Sequence, residues 1–392
     1  MTTPNGKTVG ICGATGAVGI EIISVLAERK FPVQKLVLFA SSRSAGKIVP
    51  TPFGDVKIDL FSVEKAAKLD YVFLAVSGDF SLQFAKELAA VPNGPVVIDN
   101  SSAFRRDPEI PLVIPEINGS VLLSKEGEDK FVSKLIANPN CTTAIAVMAL
   151  WPLHCEFQIK KLIVSTYQAA SGAGAEGMEE LREGAHEFLA GKTAVNKVFA
   201  HPLPFNLIPH IDKFQDNGYT KEEMKVTWET RKIFDEPELL VSCTAARIPI
   251  MRAHSEAISM ETVRPVNIER ARELLAQADG VDLVDNPDRL EYPMPMNATK
   301  KFNIEAGRLR KSLVFGDHGL ELFVSGDQLL RGAALNAVLI AEFMENPRAV
   351  PQFTKKRTCK FAVSRETAVV AVASAVAAVA SVVALVALKQ KK

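Results

Sequence analysis

Short apolar runs alternate with amphipathic runs along the first third of the chain. Runs typical of buried strands cover 7–12, 34–41, 70–78 and 94–100, and runs with the helical spacing of apolar residues cover 20–30 and 80–90. Strands that alternate with helices form right-handed crossovers, so this order predicts a parallel sheet. We therefore expect an α/β domain of the dinucleotide-binding, Rossmann type over residues 1–137.

The pattern changes in the following region. Helices are predicted at 141–152, 177–191 and 221–234, the first of them stopping near Pro152. Runs rich in β-branched residues cover 160–171, 238–251 and 257–266, which favours a mixed sheet of antiparallel character. Residues 138–327 are therefore expected to form a second α/β domain. A late amphipathic helix is predicted over 327–346, where Asn346 and Pro347 close it.

Composition and charge exclude several classes of function. The 392 residues suffice for two domains, and 46 Lys and Arg balance 45 Asp and Glu. Because no basic excess is present, we expect no nucleic-acid partner. Five scattered cysteines fit a reducing, cytoplasmic location better than a disulfide scaffold, and no Cys/His spacing predicts a metal site. The N-terminal residues predict no signal peptide.

Three glycines separate the first predicted strand from the first predicted helix. Gly13, Gly16 and Gly19 allow a tight turn and bring N–H groups close to a pyrophosphate at the start of a helix. Such turns also occur in proteins that bind nothing. The position between strand and helix nevertheless favours a dinucleotide site.

The residues after the second strand bear on the choice of cofactor. An acidic residue there would bind the ribose hydroxyls of NAD, but this chain has Ser41, Arg43, Ser44 and Lys47. Hydroxyl groups and cations suit a 2′-phosphate, so we expect NADP. The alternative is a solvated polar turn.

Cys141 follows Asn-Pro-Asn at the predicted start of a helix. A free cysteine is usually a small buried hydrophobe, whereas a thiol at a helix N-terminus is expected to ionise more easily and to act as a nucleophile. A thiol beside a nicotinamide serves aldehyde oxidation or acyl reduction through a thioester.

Such a thioester site also needs a base and holders for the charges of the substrate. His254 is a candidate base. It stands seven residues after Arg247, and Pro249 predicts a break in the strand that could bring both to one pocket. Glu229 and Lys232 are neighbours on a helix, and Arg105 follows a strand. Taken alone, residues of these kinds more often have ordinary structural or surface roles, and this alternative applies to His254, Glu229, Lys232 and Arg105.

Eight segments together resemble the aspartate-β-semialdehyde dehydrogenase family, and the match covers roughly residues 7–346. They are GATGAVG, SSRSAGK, DNSSAFR, NPNCTT, TYQAASGAG, ETRKI, RIPIMRAHSE and LLRGAALNAV. The resemblance implies a Rossmann-type NADP-binding domain and an α/β catalytic and dimerisation domain. It also implies a C-terminal segment, 328–361, whose helix near 328–345 packs back on the first domain.

The resemblance also implies roles for particular residues. Cys141 resembles the nucleophile, His254 the acid/base catalyst and Gln168 the residue that orients the intermediate. Arg247 resembles the arginine that holds the α-carboxylate, and Glu229 the carboxylate that meets the α-ammonium. Arg105 and Lys232, with Asn140 beside them, resemble the phosphate-holding residues. The cofactor contacts are expected at Gly13, Thr15, Gly16, Ala17, Val18, Gly19, Ser41, Arg43, Ser44, Ser171, Gly172 and Asn336.

The implied reaction is the NADP-dependent interconversion of 4-phospho-L-aspartate and L-aspartate-4-semialdehyde, in lysine, threonine and methionine biosynthesis. A homodimer or homotetramer is expected. N-acetyl-glutamyl-phosphate reductase is an alternative with the same chemistry, but its acetylated amine has no charge for Glu229 to meet. A non-catalytic relative is the other alternative, and the presence of Cys141, Gln168, Arg247 and His254 together disfavours it.

The resemblance does not cover the tail, residues 362–392. Residues 367–388 contain no charged residue and precede KQKK. A helix of this length reaches about 33 Å, enough to cross the apolar core of a bilayer. A membrane anchor, a helix docked on the enzyme's own surface and a disordered extension are the three alternatives.

Overall fold

Two large β-sheets organise the part of the chain that the structure, a computed structural model, describes. These are residues 3, 6–124, 127–194 and 196–348. No helix among them is long and apolar enough to cross a membrane. The apolar run at 367–388 lies outside the described residues, and so does the end of the 328–361 segment.

The first sheet has seven strands. They are β1 (Lys7–Cys12), β2 (Val33–Ala40), β3 (Ile48–Thr51), β4 (Gly54–Leu60), β5 (Tyr71–Leu74), β6 (Val96–Asp99) and β9 (Leu135–Ala137), whereas β7 (Leu123–Ser124) and β8 (Gly127–Phe131) pair separately. Their order is β3-β4-β2-β1-β5-β6-β9, and only the β3–β4 pair is antiparallel. The four predicted strands and their parallel pairing are confirmed. The sequence analysis missed β3 and β4, two largely exposed strands in which Ile58 is the one buried residue.

Ten α-helices accompany the sheets within the described ranges. They are α1 (Ala17–Glu28), α2 (Val63–Ala66), α3 (Gly78–Ala90), α4 (Pro115–Asn118), α5 (Cys141–Phe157), α6 (Gly174–Leu189), α7 (Lys221–Phe234), α8 (Ile268–Ala276), α9 (Pro295–Ala298) and α10 (Leu335–Glu345). Short 3₁₀ turns cover Gly119–Leu122, Ala170–Ala173, Pro287–Arg289 and Gly316–His318, and a π-helical turn covers Leu330–Ala334.

The second sheet is mixed, as predicted. Its strands are β10 (Ile159–Gln168), β11 (Leu240–Arg247), β12 (His254–Thr262), β13 (Val281–Leu283), β14 (Ile304–Lys311) and β15 (Gly319–Gly326), in the order β11-β10-β12-β15-β14-β13. The β10–β11 and β13–β14 pairs are parallel, and the other three are antiparallel. Alternate residues such as Leu162, Val164, Ile258 and Met260 are buried and form one core with α5.

The predicted end of α5 was wrong. The helix passes through Pro152 and ends at Phe157. A proline in a helix removes one N–H and crowds the carbonyl four residues earlier, which usually breaks the helix. Here α5 is buried on nearly every side from Thr142 to Leu150 and again at Leu153, so packing outweighs the lost hydrogen bond.

The late helix is buried on almost all sides rather than amphipathic. It starts from the π-helical turn and ends before Asn346 and Pro347. Its apolar residues share a core with α1 and the first sheet. Arg29, directly after α1, donates to both carboxylate oxygens of Glu342 at 2.6 Å. The last described helix therefore completes the core of the N-terminal domain.

Candidate active site

The glycine turn between β1 and α1 has the shape of an anion site. Gly13 has φ +83°, and a Cβ there would lie 2.1 Å from the carbonyl oxygen of Ala75. A Cβ on Gly19 would lie 2.3 Å from the oxygen of Gly13. Gly16 is exposed and begins α1 without a side-chain cap from any described residue. The first N–H groups of α1, around Ala17 and Val18, thus remain available to an anion.

The polar turn after β2 lies beside this glycine turn. β1 and β2 are parallel neighbours, and the N–H groups of Gly13 and Ala14 donate to Phe39 O at 2.9 and 3.3 Å. Ser41 and Arg43 are exposed, and Ser44 is half-buried. A cation and two hydroxyl residues thus lie beside the glycine turn, where they could hold an anionic group.

A cleft of about 410 Å³ lies next to the start of α5. Eight residues of the predicted site line it: Val18, Arg105, Asn140, Cys141, Gln168, Ser171, Gly172 and Arg247. Ten further residues that the sequence analysis missed also line it, among them Glu222, Lys225, Gln328 and Gly332. The cleft thus combines one thiol with several charged and amide groups.

Cys141 is the first residue of α5. Asn140 caps the helix, and its Oδ1 accepts from the N–H groups of Thr142 and Thr143 at 3.0 and 3.3 Å. Gly332 packs against the thiol residue so closely that a Cβ on it would lie 2.5 Å from the Cβ of Cys141. The π-helical turn therefore forms one side of the surroundings of Cys141.

The surroundings of Cys141 in the substrate-free protein oppose the easy ionisation that its position at a helix start predicts. Burial and the carboxylate of Glu222 raise the pKa of Cys141 to about 11, although Arg105 and Arg247 act in the opposite direction. The positive end of a helix dipole is worth only about 0.3–1 kcal/mol in most settings. Desolvation of the thiolate therefore outweighs the helix dipole in the substrate-free cleft.

Glu222 connects several groups of the cleft. Its Oε1 accepts from Asn140 Nδ2 at 2.9 Å and from Gln168 Nε2 at 3.3 Å. Its Oε2 accepts from Lys225 Nζ at 2.9 Å, and the same ammonium pairs with Asp212 at 2.8 Å. Burial alone would raise the pKa of Glu222, but Lys225 and these hydrogen bonds lower it to about 2. A carboxylate and an ammonium therefore face the cleft together.

The structure does not bring Glu229 and Lys232 to the cleft wall, which corrects their expected roles as substrate ligands. Glu229 pairs with Arg105 Nη1 at 3.2 Å and accepts the Asn140 N–H at 2.6 Å. Lys232 Nζ donates to the backbone oxygens of Arg105, Asp107 and Ile110 at 3.0, 2.6 and 2.8 Å. Both side chains instead hold the segment that carries Arg105.

The expected and the observed cleft residues differ only in their position along α7. Glu222 and Lys225 repeat the same i, i+3 spacing as Glu229 and Lys232, seven residues earlier. Seven residues make nearly two turns, so both pairs lie on one stripe of the helix, about 10 Å apart along its axis. The N-terminal half of α7 reaches the cleft. The spacing alone could not distinguish the two pairs.

Arg105 and Arg247 supply two fixed guanidinium groups. Arg105 donates to the backbone oxygens of Asn138 and Asn100, both at 2.8 Å. Arg247 ends β11 and donates from Nη1 to Ala169 O at 2.6 Å. Each has donors left for an anion, because a guanidinium carries five N–H groups.

His254 begins β12 after the interruption predicted at Pro249, and it lies close to Arg247. A Cβ on Gly172 would lie 2.7 Å from Arg247 Nη1 and 3.4 Å from His254 Nε2. The ring is fully buried, and its Nδ1 accepts the N–H of Ala169 at 3.0 Å. Its Nε2 has no hydrogen-bond partner among the described residues. Burial lowers the pKa of His254 to about 3, and Arg247 contributes to the decrease.

The remaining predicted cofactor contacts lie on two elements. Ser171 accepts from Gln328 Nε2, while Gln328 Oε1 accepts the N–H of Ala253 at 2.7 Å. Asn336 does not line the cleft. It is buried in α10, donates to Asn138 Oδ1 at 2.6 Å, and its own Oδ1 has no partner within the described part of the chain.

Two family models match most of the chain. "Semialdehyde dehydrogenase, NAD binding domain" matches residues 8–124, and "Semialdehyde dehydrogenase, dimerisation domain" matches residues 150–331. The aspartate-semialdehyde dehydrogenase of Aquifex aeolicus is 44% identical over 341 residues, which cover 86% of this chain and 98% of that protein.

Solved structures of other proteins are also similar to this chain. The aspartate semialdehyde dehydrogenase II of Vibrio cholerae, complexed with ASA, has a TM-score of 0.81 and 38% identity, covering 88% of this chain and 99% of that one. The enzyme of Candida albicans with NADP has a TM-score of 0.67 and 26% identity, covering 88% of this chain and 100% of that one.

Proposed function

Because the chain belongs to the aspartate-semialdehyde dehydrogenase family, we propose that it converts 4-phospho-L-aspartate to L-aspartate-4-semialdehyde with NADPH, in the biosynthesis of lysine, threonine and methionine. The observation that carries the proposal is the placing of Cys141 in one cleft with two guanidinium groups, Glu222 and Lys225. A thiol surrounded by both signs of charge suits an amino acid that bears an acyl phosphate.

The charges of the substrate match the groups of the cleft. Arg247 is the candidate for the α-carboxylate, since a planar guanidinium holds a carboxylate with two parallel hydrogen bonds. Glu222, rather than Glu229, is the candidate for the α-ammonium. Arg105 and Lys225, rather than Lys232, are the candidates for the phosphate. Asn140 and Gln168 position Glu222 through their amide groups.

The chemistry proceeds through a thioester on Cys141. The sulfur bonds to the acyl carbon, the carbon–oxygen bond to phosphate breaks, and the thiol proton leaves with the phosphate. A bound nicotinamide cofactor supplies the hydride that reduces the thioester. The sulfur then leaves, which releases the semialdehyde and a thiolate that takes a proton from water. Gln168 lines the cleft together with Cys141, and His254, which is buried behind Gly172, is the candidate acid/base catalyst.

NADP is the proposed cofactor. Gly13, Gly16 and Gly19 with the first amides of α1 would hold the pyrophosphate, and Ser41, Arg43 and Ser44 would hold the 2′-phosphate. Ser171, Gly172 and Asn336 would hold the nicotinamide half. The open helix start supports the pyrophosphate contacts, and the presence of Ser171 and Gly172 in the cleft lining supports the nicotinamide contacts.

The proposed enzyme is a homo-oligomer. On β10 and β15, side chains that point away from α5 form a second face, with Ile163 49% exposed and the rings of Tyr167 and Phe323 stacked at 6.2 Å. A match to a dimerisation domain over 150–331 supports pairing of copies. Light scattering should give two or four times the chain mass of 42.5 kDa, and a monomer mass would contradict the proposal.

One assay tests the function against its alternatives. Phosphate-dependent formation of NADPH is measured with L-aspartate-4-semialdehyde and with the N-acetyl-glutamate semialdehyde, using Cys141→Ala as the blank. We expect turnover with the first substrate alone. Preference for the second would favour the reductase of acetylated glutamyl phosphate, and no turnover with either would favour a non-catalytic relative.

A further inference from the structure

We propose that Asp212 is a movable counter-ion of Lys225, which inorganic phosphate displaces when it binds in the cleft. The carboxylate thereby limits how tightly the cleft retains phosphate. The inference deepens the proposed function and rests on it for the identity of the anion that Arg105 and Lys225 hold.

Asp212 reaches the cleft from the segment that precedes α7. It lines the cleft together with Ile211, and its Oδ2 accepts from Lys225 Nζ at 2.8 Å. The residue has φ +70°, a left-handed conformation that aspartate adopts more readily than most residues do. The sequence analysis did not single out this residue, because nothing in its neighbours along the chain marks a cleft carboxylate.

The backbone on both sides of Asp212 is held in place. Ile208 and Arg247 exchange two backbone hydrogen bonds, at 3.0 and 2.8 Å. Lys213 O accepts the N–H of Lys221, the first residue of α7, at 2.7 Å. The segment is therefore attached to the strand that carries Arg247 and to the helix that carries the cleft ammonium. Movement of the carboxylate requires only rotation of its side chain.

Lys225 lies between two carboxylates that differ in how firmly they are held. Glu222 is buried, and its second oxygen accepts from the amide groups of Asn140 and Gln168. The side chain of Asp212 is 30% exposed, and its other described partner is the backbone N–H that follows it, at 2.8 Å. Asp212 can therefore turn towards solvent without leaving a buried charge unpaired, whereas Glu222 cannot.

Both members of the Asp212–Lys225 pair are charged. Burial acts to raise the pKa of Asp212, but the hydrogen bond from Lys225 outweighs it and lowers the pKa. Burial acts to lower the pKa of Lys225, but Glu222 and Asp212 together raise it. One ammonium therefore faces two carboxylates, and the excess negative charge opposes the entry of a phosphate dianion.

Phosphate can nevertheless compete with Asp212 for the ammonium. An anion that contacts Arg105 and Lys225 together gains two charge-assisted contacts, whereas Asp212 gains one. Asp212 therefore moves away when phosphate binds, and it pairs with Lys225 again when phosphate leaves. In the biosynthetic direction, this return favours release of the phosphate that thioester formation produces.

Kinetics with Asp212→Asn test the inference, because the amide keeps the size of the side chain and removes its charge. The KM for phosphate should fall roughly three- to tenfold, since phosphate no longer displaces a partly exposed ion pair. The inhibition constant of phosphate in the biosynthetic direction should fall by a similar factor, and the KM for the semialdehyde should change little. If Asp212 only holds Lys225 in position, the KM for phosphate stays constant or rises, and either result would overturn the inference.

Two further variants are matched controls. Asp212→Glu keeps a negative charge beside Lys225 and should keep the KM for phosphate close to the wild-type value. Asp216→Asn removes one negative charge from an exposed position four residues further along the chain, and it should have no effect. A decrease in either control equal to that in Asp212→Asn would contradict a specific counter-ion at residue 212.

A binding measurement distinguishes this inference from the proposed function. Inorganic phosphate is titrated into the full-length protein with excess NADP, which fills the phosphate sites of the cofactor, and broadening of the ³¹P signal gives its affinity. If the wild-type protein forms no NADPH from either semialdehyde but Asp212→Asn binds phosphate more tightly, the proposed function fails and the counter-ion role stands. If the wild-type protein is active and both proteins bind phosphate equally, the counter-ion role fails and the proposed function stands.

Discussion

At the scale of single residues, the chemistry of the cleft depends on the charges around one thiol. Glu222 raises the pKa of Cys141, and Arg105 and Arg247 lower it. Removing the carboxylate should therefore make the thiol more reactive, even though it removes a proposed substrate ligand.

We expect Glu222→Gln to increase the alkylation of Cys141 by iodoacetamide at pH 8. In the wild-type protein the rate should rise about tenfold per pH unit between pH 7 and 9.5 without a plateau, because the reactive thiolate is a minor form below a pKa of about 11. In the variant the profile should shift to lower pH. Cys141→Ala supplies the blank for the other cysteines, and coincident profiles would contradict the assigned electrostatics.

The two lysines of α7 form a matched pair for a second prediction. Lys225→Met should raise the KM for phosphate roughly ten- to hundredfold, since a hydrogen bond to a charged group is worth about 1.5–3 kcal/mol. Lys232→Met should lower the melting temperature by several degrees, because three backbone oxygens lose their donor. The KM of Lys232→Met for phosphate should change little. The reverse pattern would restore Lys232 as the phosphate ligand.

Cofactor choice should depend on Arg43. Arg43→Ala should weaken NADP binding about tenfold or more, because it removes a charge-assisted contact with the 2′-phosphate, and should leave NAD binding nearly unchanged. Fluorescence titration with NADPH and NADH gives both affinities. Equal losses for both cofactors would show that the 2′-phosphate binds elsewhere.

At the scale of elements, the π-helical turn packs against Cys141, the proposed nucleophile. Gly332→Ala should lower kcat at least about tenfold, because its Cβ would lie 2.5 Å from the Cβ and 2.9 Å from the Cα of Cys141, and the start of α5 must move. Gly78→Ala is the control, since a Cβ there meets nothing within 4 Å. Circular dichroism and activity are measured on both. A wild-type kcat in Gly332→Ala would show that the start of α5 can move without loss of activity, which would contradict the prediction.

The elements also show how much of the fold and of the site could be predicted from the sequence. Strong apolar periodicity gave the main parallel strands and α7, whose bounds match at both ends. It failed where packing overrides local preference, at Pro152, and at β4, of which Ile58 is the one buried residue. In the site, Cys141 and Arg247 could be found from motifs. Glu222 could not be preferred to Glu229, because the choice depends on where α7 lies against α5.

At the scale of the whole molecule, the C-terminal run remains to be placed by experiment. A chain that ends at Phe361 is compared with the full-length protein by fractionation with membranes at physiological salt. A membrane anchor predicts that the full-length protein alone sediments and needs detergent for release. If both stay in the supernatant, the anchor is wrong, and a docked helix or an extension remains.

The burial of α10 against α1 has a consequence for synthesis of the chain. The first sheet is complete at Ala137, but a helix that ends at Glu345 fills part of its core. At 5–20 residues per second, a ribosome needs roughly 10 to 40 s to extend the chain from Ala137 to Glu345. During that time the apolar side of α1 lacks its native cover. The N-terminal half therefore offers a binding surface to chaperones until nearly the whole chain has been made.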